Sequence, residues 1–370
     1  MKRVRGFTLN VFSAGTMALF AGCSHSPQPA PVAAAPVVAP AVAAAAPAPA
    51  PLAPPAPVAA SAASESKASA PAAADQPEFK SPESILWDSD QDVYFVSNVN
   101  GDPSAADENG FISRVGPDGK VLDLKWVDGS KKSTLLSAPK GMTIIGDILY
   151  VADLTVIRKF DRKTGKAKGK ISVAKSVFLN DLAASPDGKT LYASDSGVKS
   201  DPSGFASTGD DAVYAIDVKK GLVKPLIKDK GLHSPNGLLA DREGVWVVTL
   251  KANELFHVST KGEKGPITTL PKGGLDGIVR LGDGSLLISS WEGAAIFRGL
   301  PGSEFKELIA NVPSPADIGF DSKRNNVLIP MMMASAIQIR PLPALTPLAP
   351  PSAAEPAAAP GPAPAPAAAR

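Results

Sequence analysis

Short apolar runs alternate with polar turns along the middle of the chain, and the same order recurs six times. Each unit starts with a head segment and continues through an apolar run into a turn. It ends in a β-prone run such as residues 93–96 or 245–248. The six head segments begin at Pro82, Pro139, Leu179, Pro235, Leu275 and Pro315. A strand–turn–strand unit repeated six times is typical of a β-propeller, in which each unit forms one blade.

The spacing of the head segments agrees with this fold. Three of the steps are about 40 residues, the length of one four-stranded blade, and the other two are longer by an insertion. The insertions contain residues 100–110 and 197–205, which are rich in Gly, Pro, Ser and Asp, as loops are. Both leave the second strand of their blade, so we expect them to cover the end of the channel where the heads lie. The sequence therefore predicts an all-β, six-bladed β-propeller over residues 79–341.

The N-terminal segment has the features of a signal peptide. Residues 1–22 open with basic residues and continue with an apolar stretch that is too short to span a membrane. Cys23, the only cysteine, follows Ala21-Gly22 and resembles the lipidated cysteine of a bacterial lipobox. The resemblance implies a periplasmic lipoprotein whose lipid anchor, with Ser24 after the cysteine, lies in the outer membrane of a Gram-negative bacterium. A plain signal peptide with an incidental cysteine is the alternative.

Two segments of biased composition flank the predicted propeller. Residues 23–78 and 342–370 consist largely of Ala and Pro, with Ser and Val, and have no periodicity that could bury one face. We expect both to be disordered with a polyproline II bias. The first would act as a spacer between a membrane and the propeller, or as a proline-rich ligand for a partner. The sequence assigns no role to the second.

Composition and charge exclude several classes of function. The formal net charge is +2 and the pI is about 8.4, and no basic stripe with interleaved aromatic residues occurs, so we expect no nucleic-acid partner. The predicted propeller contains no cysteine, which excludes a disulfide or a thiolate metal site there. We expect a monomer that acts on or binds a small molecule.

The head residues carry the candidate chemistry. In a propeller the innermost strands surround one axis, so the residues that head them meet at one channel mouth. Carboxylate and amide oxygens that converge on one point suit a hard cation such as Ca²⁺ or Mg²⁺, whereas Zn²⁺ usually takes His or Cys. The six head residues are Glu83, Lys140, Asn180, Asn236, Asp276 and Ala316.

A purely structural interpretation of the same residues stands beside this one. Asn-Gly and Asp-Gly pairs are common turn formers, so Asn236-Gly237 and Asp276-Gly277 could simply make turns. Asp181 and Asp317 follow the heads by one residue. Strand alternation therefore predicts that their side chains point away from the channel.

The heads together resemble the regucalcin/gluconolactonase family, also called senescence-marker-protein-like, whose members are six-bladed propellers with a divalent metal ion in the channel. Glu83, Asn180, Asn236 in Ser-Pro-Asn-Gly-Leu and Asp276 in Leu-Asp-Gly-Ile-Val carry the resemblance. It implies that Glu83, Asn236 and Asp276 bind the metal ion. It also implies that Asn180 contacts the substrate or the metal site. Ca²⁺ is the expected ion, with Mg²⁺, Mn²⁺ and Zn²⁺ as alternatives.

The chain departs from the family pattern at three points. Glu83 is followed by Ser-Ile where the family commonly has Gly-Pro, and Phe178 stands where gluconolactone-type members can have an arginine. Lys140 places an ammonium group at the mouth. It could bind an anionic part of the substrate or act as a base if burial lowers its pKa. It could instead pair with Glu83 or Asp276 and displace the metal ion.

Two hypotheses about function follow. In the first, the protein is a metal-dependent hydrolase of a lactone or related ester, similar to gluconolactonase, with Asp276 or Lys140 moving the proton. In the second, it is a non-catalytic propeller that binds a protein, glycan or small ligand in the cell envelope. The fold alone cannot decide between them, because propellers support many functions.

Overall fold

The computed structural model describes residues 78–201, 204–346 and 348. Within these ranges the regular structure is β-strand apart from one 3₁₀ turn at Lys230–Leu232. The predicted signal peptide, the lipid anchor at Cys23, nearly all of the 23–78 tether and most of the 342–370 tail lie outside the described residues. In the described ranges, no helix has the length and apolar character needed to cross a membrane.

Three antiparallel sheets form the first half of the fold. Blade 1 contains β1 (Pro82–Asp88), β2 (Val93–Asn98), β3 (Phe111–Val115) and β4 (Val121–Asp128). Blade 2 contains β5 (Pro139–Ile145), β6 (Ile148–Asp153), β7 (Val156–Asp161) and β8 (Ala167–Ser172). Blade 3 contains β9 (Leu179–Ala184) and β10 (Thr190–Asp195), then the separate hairpin β11 (Val198–Asp201) and β12 (Gly204–Ser207), then β13 (Ala212–Asp217) and β14 (Leu222–Lys228).

Three further sheets complete the ring. Blade 4 contains β15 (Pro235–Ala240), β16 (Gly244–Thr249), β17 (Glu254–Ser259) and β18 (Thr268–Thr269). Blade 5 contains β19 (Leu275–Arg280), β20 (Leu286–Ser290), β21 (Ala295–Gly299) and β22 (Lys306–Ile309). Blade 6 has three strands among the described residues, β23 (Gly319–Asp321), β24 (Asn326–Met331) and β25 (Ala336–Pro341). The predicted all-β, six-bladed propeller is thereby confirmed.

The hydrophobic core lies between the blades. Six apolar clusters fill the six interfaces between neighbouring blades of the described chain. Tyr150 and Leu191, for example, meet between blades 2 and 3, and Val248 and Ile288 meet between blades 4 and 5. Alternation explains this arrangement, because both faces of a propeller sheet are covered by a neighbour and both sets of side chains are apolar.

The ring closes where blade 6 meets blade 1. The backbone N–H of Asp317 donates to the carbonyl of Glu83 at 2.8 Å, and that of Ile85 donates to the carbonyl of Asp317 at 3.3 Å. Farther from the axis, the buried Tyr94 hydroxyl donates to Asp321 Oδ2 at 2.7 Å. The first and last blades are therefore joined by hydrogen bonds at the same position as the candidate site.

The start of the predicted disordered tail is packed on the propeller. Leu342 is buried, and its N–H donates to the carbonyl of Asn325 at 2.9 Å. Leu345 packs against the cluster between blades 5 and 6, and the guanidinium of Arg298 donates to the carbonyl of Thr346 at 2.9 Å. The prediction that disorder begins at residue 342 is therefore wrong for these residues. Two leucines within an Ala/Pro-rich segment supply the apolar contacts.

Five of the six inner strands carry a β-bulge at the head. In β15, Pro235 pairs with Thr249 and Leu238 with Val247, so two residues, Asn236 and Gly237, face one residue on β16. The same shift of register occurs in β1, β5, β9 and β19. A bulge puts one extra residue into the strand and interrupts the simple alternation of side chains. The head residues therefore lie where the strand pairing is irregular, although the rest of each strand pairs regularly.

The glycines after two heads are needed for close packing of neighbouring inner strands. A Cβ on Gly237 would lie 1.9 Å from the backbone oxygen of Asp276, and a Cβ on Gly277 would lie 2.2 Å from the backbone nitrogen of Ile318. Both glycines lie inside strands, so the interpretation of Asn236-Gly237 and Asp276-Gly277 as turns is wrong. The missing side chain lets adjacent blades approach at the axis.

We predict that Gly237→Ala destabilises the propeller by about 1–3 kcal/mol, because the added methyl group overpacks a contact with rigid backbone. The matched control is Gly282→Ala, since Gly282 has no atom within 4 Å of the added methyl group. Urea unfolding followed by tryptophan fluorescence measures both variants. Equal midpoints for the two would contradict the assigned role of Gly237.

Candidate functional site

The structure brings the predicted head residues to one end of the channel. Glu83, Lys140, Asn180, Asn236 and Asp276 are the second residues of β1, β5, β9, β15 and β19, and all five are buried. Ala316 is also buried and precedes β23. The charges of Asp276 and Lys140 act on Glu83, so these three groups lie near one another at this end of the channel.

Three buried oxygen atoms at this point have no hydrogen-bond partner. They are Glu83 Oε2, Asn236 Oδ1 and Asp276 Oδ1. A buried polar atom without a partner is unfavourable, and buried groups of native proteins are normally satisfied. Carboxylate and amide oxygens are the ligands of hard divalent cations. The three residues therefore fit a cation such as Ca²⁺ that would take up all three free oxygens.

Hydrogen bonds orient the candidate ligands from behind. Asn236 Nδ2 donates to the carbonyl of Leu275 at 3.0 Å, which turns its Oδ1 the other way. Trp291 Nε1 donates to Asp276 Oδ2 at 2.7 Å and leaves Oδ1 free. Ligand orientation by such outer contacts is characteristic of metal sites. These hydrogen bonds therefore fix the orientation of the free Oδ1 atoms of Asn236 and Asp276.

Asn180 belongs to the same network but is bound differently. Its Nδ2 donates to the hydroxyl of Ser196 at 3.2 Å, and that hydroxyl donates to the carbonyl of Pro235 at 2.7 Å. This chain of bonds links the heads of blades 3 and 4. It fixes the side chain of Asn180 beside the site, where the sequence placed it as a substrate contact.

Asp181 and Asp317 line the channel, so the prediction that they point away from it is wrong. With Ser84 they border a cavity of about 420 Å³ that is surrounded by the inner strands of all six blades. For Asp181 the bulge of β9 is the reason, because its extra residue shifts the alternation after the head. Asp317 precedes β23, so strand alternation does not apply to it. Asp181 accepts from the backbone N–H groups of Leu182 and Leu238, each at 2.6 Å. The Ser84 hydroxyl donates to Asp317.

Burial is the main cause of unusual protonation in this group. It raises the pKa of Glu83 and of Asp181 well above the usual range, and nearby carboxyl groups add to the effect. Burial also raises the pKa of Asp276 to about 8 and that of Asp317 to about 7. For Lys140, burial lowers the pKa to about 8, although Glu83 opposes this change. The channel therefore disfavours the ionised form of every acid in it.

Lys140 is directed toward the backbone and not toward a carboxylate. The side chain is 1 % exposed, and its Nζ donates to the carbonyls of Pro103 at 2.9 Å and Ala138 at 3.2 Å. The Nζ atom also lies 4.2 Å from the centre of the Phe178 ring, a cation–π contact. Among the described residues, no ion pair joins Lys140 to another group. The pairing with Glu83 or Asp276 that the sequence left open is therefore absent.

The two insertions lie at the end of the channel where the head residues meet. The direction of the second strands predicted this position. Pro103 belongs to the insertion of blade 1 and contacts Lys140. In the same insertion, the hydroxyl of Ser104 is 2.9 Å from that of Ser200 in β11. The carbonyl of Phe205 in β12 accepts from Lys251 Nζ, on blade 4, at 2.8 Å. The insertions are thus joined to each other and to the rim on both sides.

The candidate site differs in composition from a cluster of three acidic or histidine ligands. Between residues 78 and 348, leaving out the positions not described, no three His, Cys, Asp or Glu side chains are grouped as they are around metal ions. The candidate site instead combines the two carboxylates of Glu83 and Asp276 with the amide oxygen of Asn236. The fold and the site together define a six-bladed propeller with a candidate cation site at one channel mouth.

Comparisons with known proteins support the fold. No protein-family profile and no curated protein matches the sequence. A gluconolactonase from Xanthomonas campestris has a similar structure, with a TM-score of 0.56 and 18 % identity over 72 % of this chain and 87 % of that one. A virginiamycin B lyase from Staphylococcus aureus gives a TM-score of 0.48 and 15 % identity over 68 % of this chain and 92 % of that one. At 18 % identity the likeness to the gluconolactonase is one of fold.

We predict that the chelator-treated protein loses stability as the pH rises from about 4 to about 8. The four channel acids have pKa values that are higher in the folded state than in the unfolded chain. In this window the folded state therefore binds more protons, and the free energy of unfolding falls with pH. Thermal unfolding at a series of pH values measures the slope.

Two variants make this prediction specific. Asp276→Asn should reduce the slope, because one of the acids is removed. Asp187→Asn should leave the slope above about pH 5 unchanged, because the folded-state pKa of Asp187 is lowered to about 2 and the group is ionised in both states there. A stability that is flat or rises over this range would contradict the assignment.

Proposed function

We propose that this protein is a divalent-cation-dependent hydrolase of a lactone or related ester, with its active site at the channel mouth. The observation that carries the proposal is the set of three buried, unpartnered oxygens on Glu83, Asn236 and Asp276. The structural likeness to a gluconolactonase supports the same choice at the level of fold. An envelope location with a lipid anchor at Cys23 and a monomeric state remain proposals based on the sequence.

Each residue has a role in the proposed reaction. Glu83, Asn236 and Asp276 would hold the cation, with Ca²⁺ preferred for an all-oxygen set. A bound divalent cation would supply Lewis-acid polarisation of the substrate carbonyl. Asn180, fixed by Ser196, would orient the substrate or the attacking water through its amide.

Proton transfer is assigned to Asp276. Its carboxyl group is buried; Oδ1 would bind the cation, and Oδ2 accepts from the indole of Trp291. The remaining lone pair of Oδ2 would take a proton from the water that attacks the carbonyl carbon, and Oδ2 would return it to the alkoxide oxygen as the ester bond breaks. Lys140 is less suited to this step, since two of its N–H groups are directed at backbone carbonyls. We therefore give Lys140 the role of holding the insertion of blade 1 over the site.

A second candidate function is a non-catalytic propeller that holds a structural cation and binds a ligand in the cell envelope. The contacts that join the insertions across the mouth favour it, namely those between Lys140 and Pro103 and between Ser104 and Ser200. Insertions that cover the mouth in this way could retain a structural cation as readily as they could enclose a substrate during hydrolysis. Activity measurements separate the two candidates.

We predict that the purified protein binds Ca²⁺ and that Glu83→Gln weakens binding by at least about 100-fold, since a direct ligand should matter more than an outer-shell one. Calorimetric titration measures affinity, and the hydrolysis of a lactone panel is followed in a pH-stat. The matched control is Glu307→Gln, which makes the same change at an exposed position on β22. It should bind Ca²⁺ as the native protein does.

The outcomes distinguish the candidates. Calcium-dependent hydrolysis that Glu83→Gln abolishes supports the enzyme. Tight binding without hydrolysis of any lactone supports the non-catalytic propeller. Absence of binding with Ca²⁺, Mg²⁺, Mn²⁺ and Zn²⁺ alike would overturn the cation site.

We predict that Lys140→Met frees the insertion of blade 1 and raises the affinity for Ca²⁺, because a positive charge beside Glu83 is removed. Faster amide hydrogen exchange in residues 99–110 measures the first effect, and calorimetry measures the second. The apolar stem is retained, so the propeller should stay folded. A fall in kcat of roughly 100-fold with normal exchange would instead assign proton transfer to Lys140.

A further inference from the structure

Apolar side chains occur on three blades at the end of the channel where the head residues lie. Blade 3 contributes Phe178 before its head and Phe205 from the hairpin β11–β12. Blade 5 contributes Trp291, and blade 6 contributes Met332 and Met333. The turns after β20 and β24 and the hairpin after β10 all leave second strands, so they lie at the same end of the channel as the heads. We call these five residues the apolar rim.

The aromatic pair forms the best-defined part of the apolar rim. The rings of Phe178 and Phe205 meet edge to face, with centroids 5.5 Å apart. Phe178 is buried against the ammonium of Lys140, whereas Phe205 is 38 % exposed. The carbonyl of Phe205 is held by Lys251, which fixes this strand of the hairpin above the rim. An exposed aromatic ring is thus held next to the mouth.

Blades 5 and 6 place further apolar groups at the same end of the channel. Trp291 is half-buried, and its bond to Asp276 Oδ2 puts the indole directly beside a candidate ligand. Met333 is 76 % exposed, and its N–H is fixed by the hydroxyl of Ser314 at 3.0 Å. Methionine adapts to ligands of different shape, and aromatic rings supply large apolar contact area. These properties suit recognition of an apolar group.

The positive charges near the head residues are already bound to backbone carbonyls. Lys140 is the only cation among the six head positions, and it is 1 % exposed with its Nζ engaged by two backbone carbonyls. Lys251, on the rim, donates to the carbonyl of Phe205. Scattered exposed apolar residues need no explanation. Here, however, the exposed Phe205 and Met333 lie at the end of the channel where five of the six head residues are buried and polar. The contrast matches an ester whose carbonyl meets the polar centre and whose remainder is apolar.

We infer that the substrate is a lactone or ester with an apolar acyl or aryl group, which contacts Phe205 and Phe178, and that Phe205 determines this specificity. The inference rests on the proposed function and adds the substrate class. It predicts that transition-state binding grows with the apolar surface that the substrate buries on the apolar rim.

The test compares the calcium-loaded protein on γ-butyrolactone, γ-hexanolactone, γ-octanolactone and γ-decanolactone. We expect kcat/KM to rise with chain length by up to roughly fourfold per buried methylene, the ratio that corresponds to ~0.8 kcal/mol. Phe205→Ser should make this rise much smaller while leaving the affinity for Ca²⁺ unchanged. Phe205→Leu should retain most of it, since an apolar side chain remains.

Leu222→Ser is the matched control, because Leu222 is 50 % exposed on β14, away from the mouth. It should behave as the native protein on every lactone. Hydrolysis that does not depend on chain length, or a Phe205→Ser profile equal to that of the control, would overturn the inference and leave the proposed function standing. Failure to hydrolyse any of the four would overturn both.

Discussion

The accommodation of four carboxyl groups in one narrow channel is the constraint on which the rest of this structure depends. Glu83, Asp181, Asp276 and Asp317 share the axis, and burial raises the pKa of each. Backbone N–H groups satisfy Asp181, and single donors serve one oxygen each of Asp276 and Asp317. Glu83 Oε2 and Asp276 Oδ1 keep unsatisfied lone pairs. A divalent cation between them would offset both the desolvation of the acids and their mutual repulsion.

The same local irregularity that presents the ligands also closes the ring. A bulge directs a head residue into the channel, and the glycine behind it allows the next inner strand to pack against the backbone. Asn236-Gly237 and Asp276-Gly277 therefore combine a candidate ligand with a close contact between blades. Because the ligands come from different blades, their mutual positions depend on the packing of the whole propeller, which interlocking apolar clusters make rigid.

The sequence was sufficient to predict the number of blades and the heads that meet, since both follow from a repeat of apolar runs and turns. It failed for Asp181 because a bulge cannot be read from alternation alone, and for Asp317 because that residue precedes the regular strand. It also left the partners of Lys140 open, since Pro103 lies in an insertion whose path depends on tertiary contacts. The packing of Leu342 was missed because two leucines in an Ala/Pro-rich segment give no periodic pattern.

The insertions over the mouth and the affinity of the channel for a cation are connected through the local dielectric constant. The insertions are joined to each other and to the rim at this end of the channel, and a low local dielectric there would strengthen the attraction between a cation and its carboxylate ligands. The ammonium of Lys140 opposes that attraction, yet it also fastens the insertion through Pro103. Release of this contact would admit water and move a positive charge away from Glu83 in the same event. Access to the site and affinity for a cation would therefore change together, and both depend on one buried side chain.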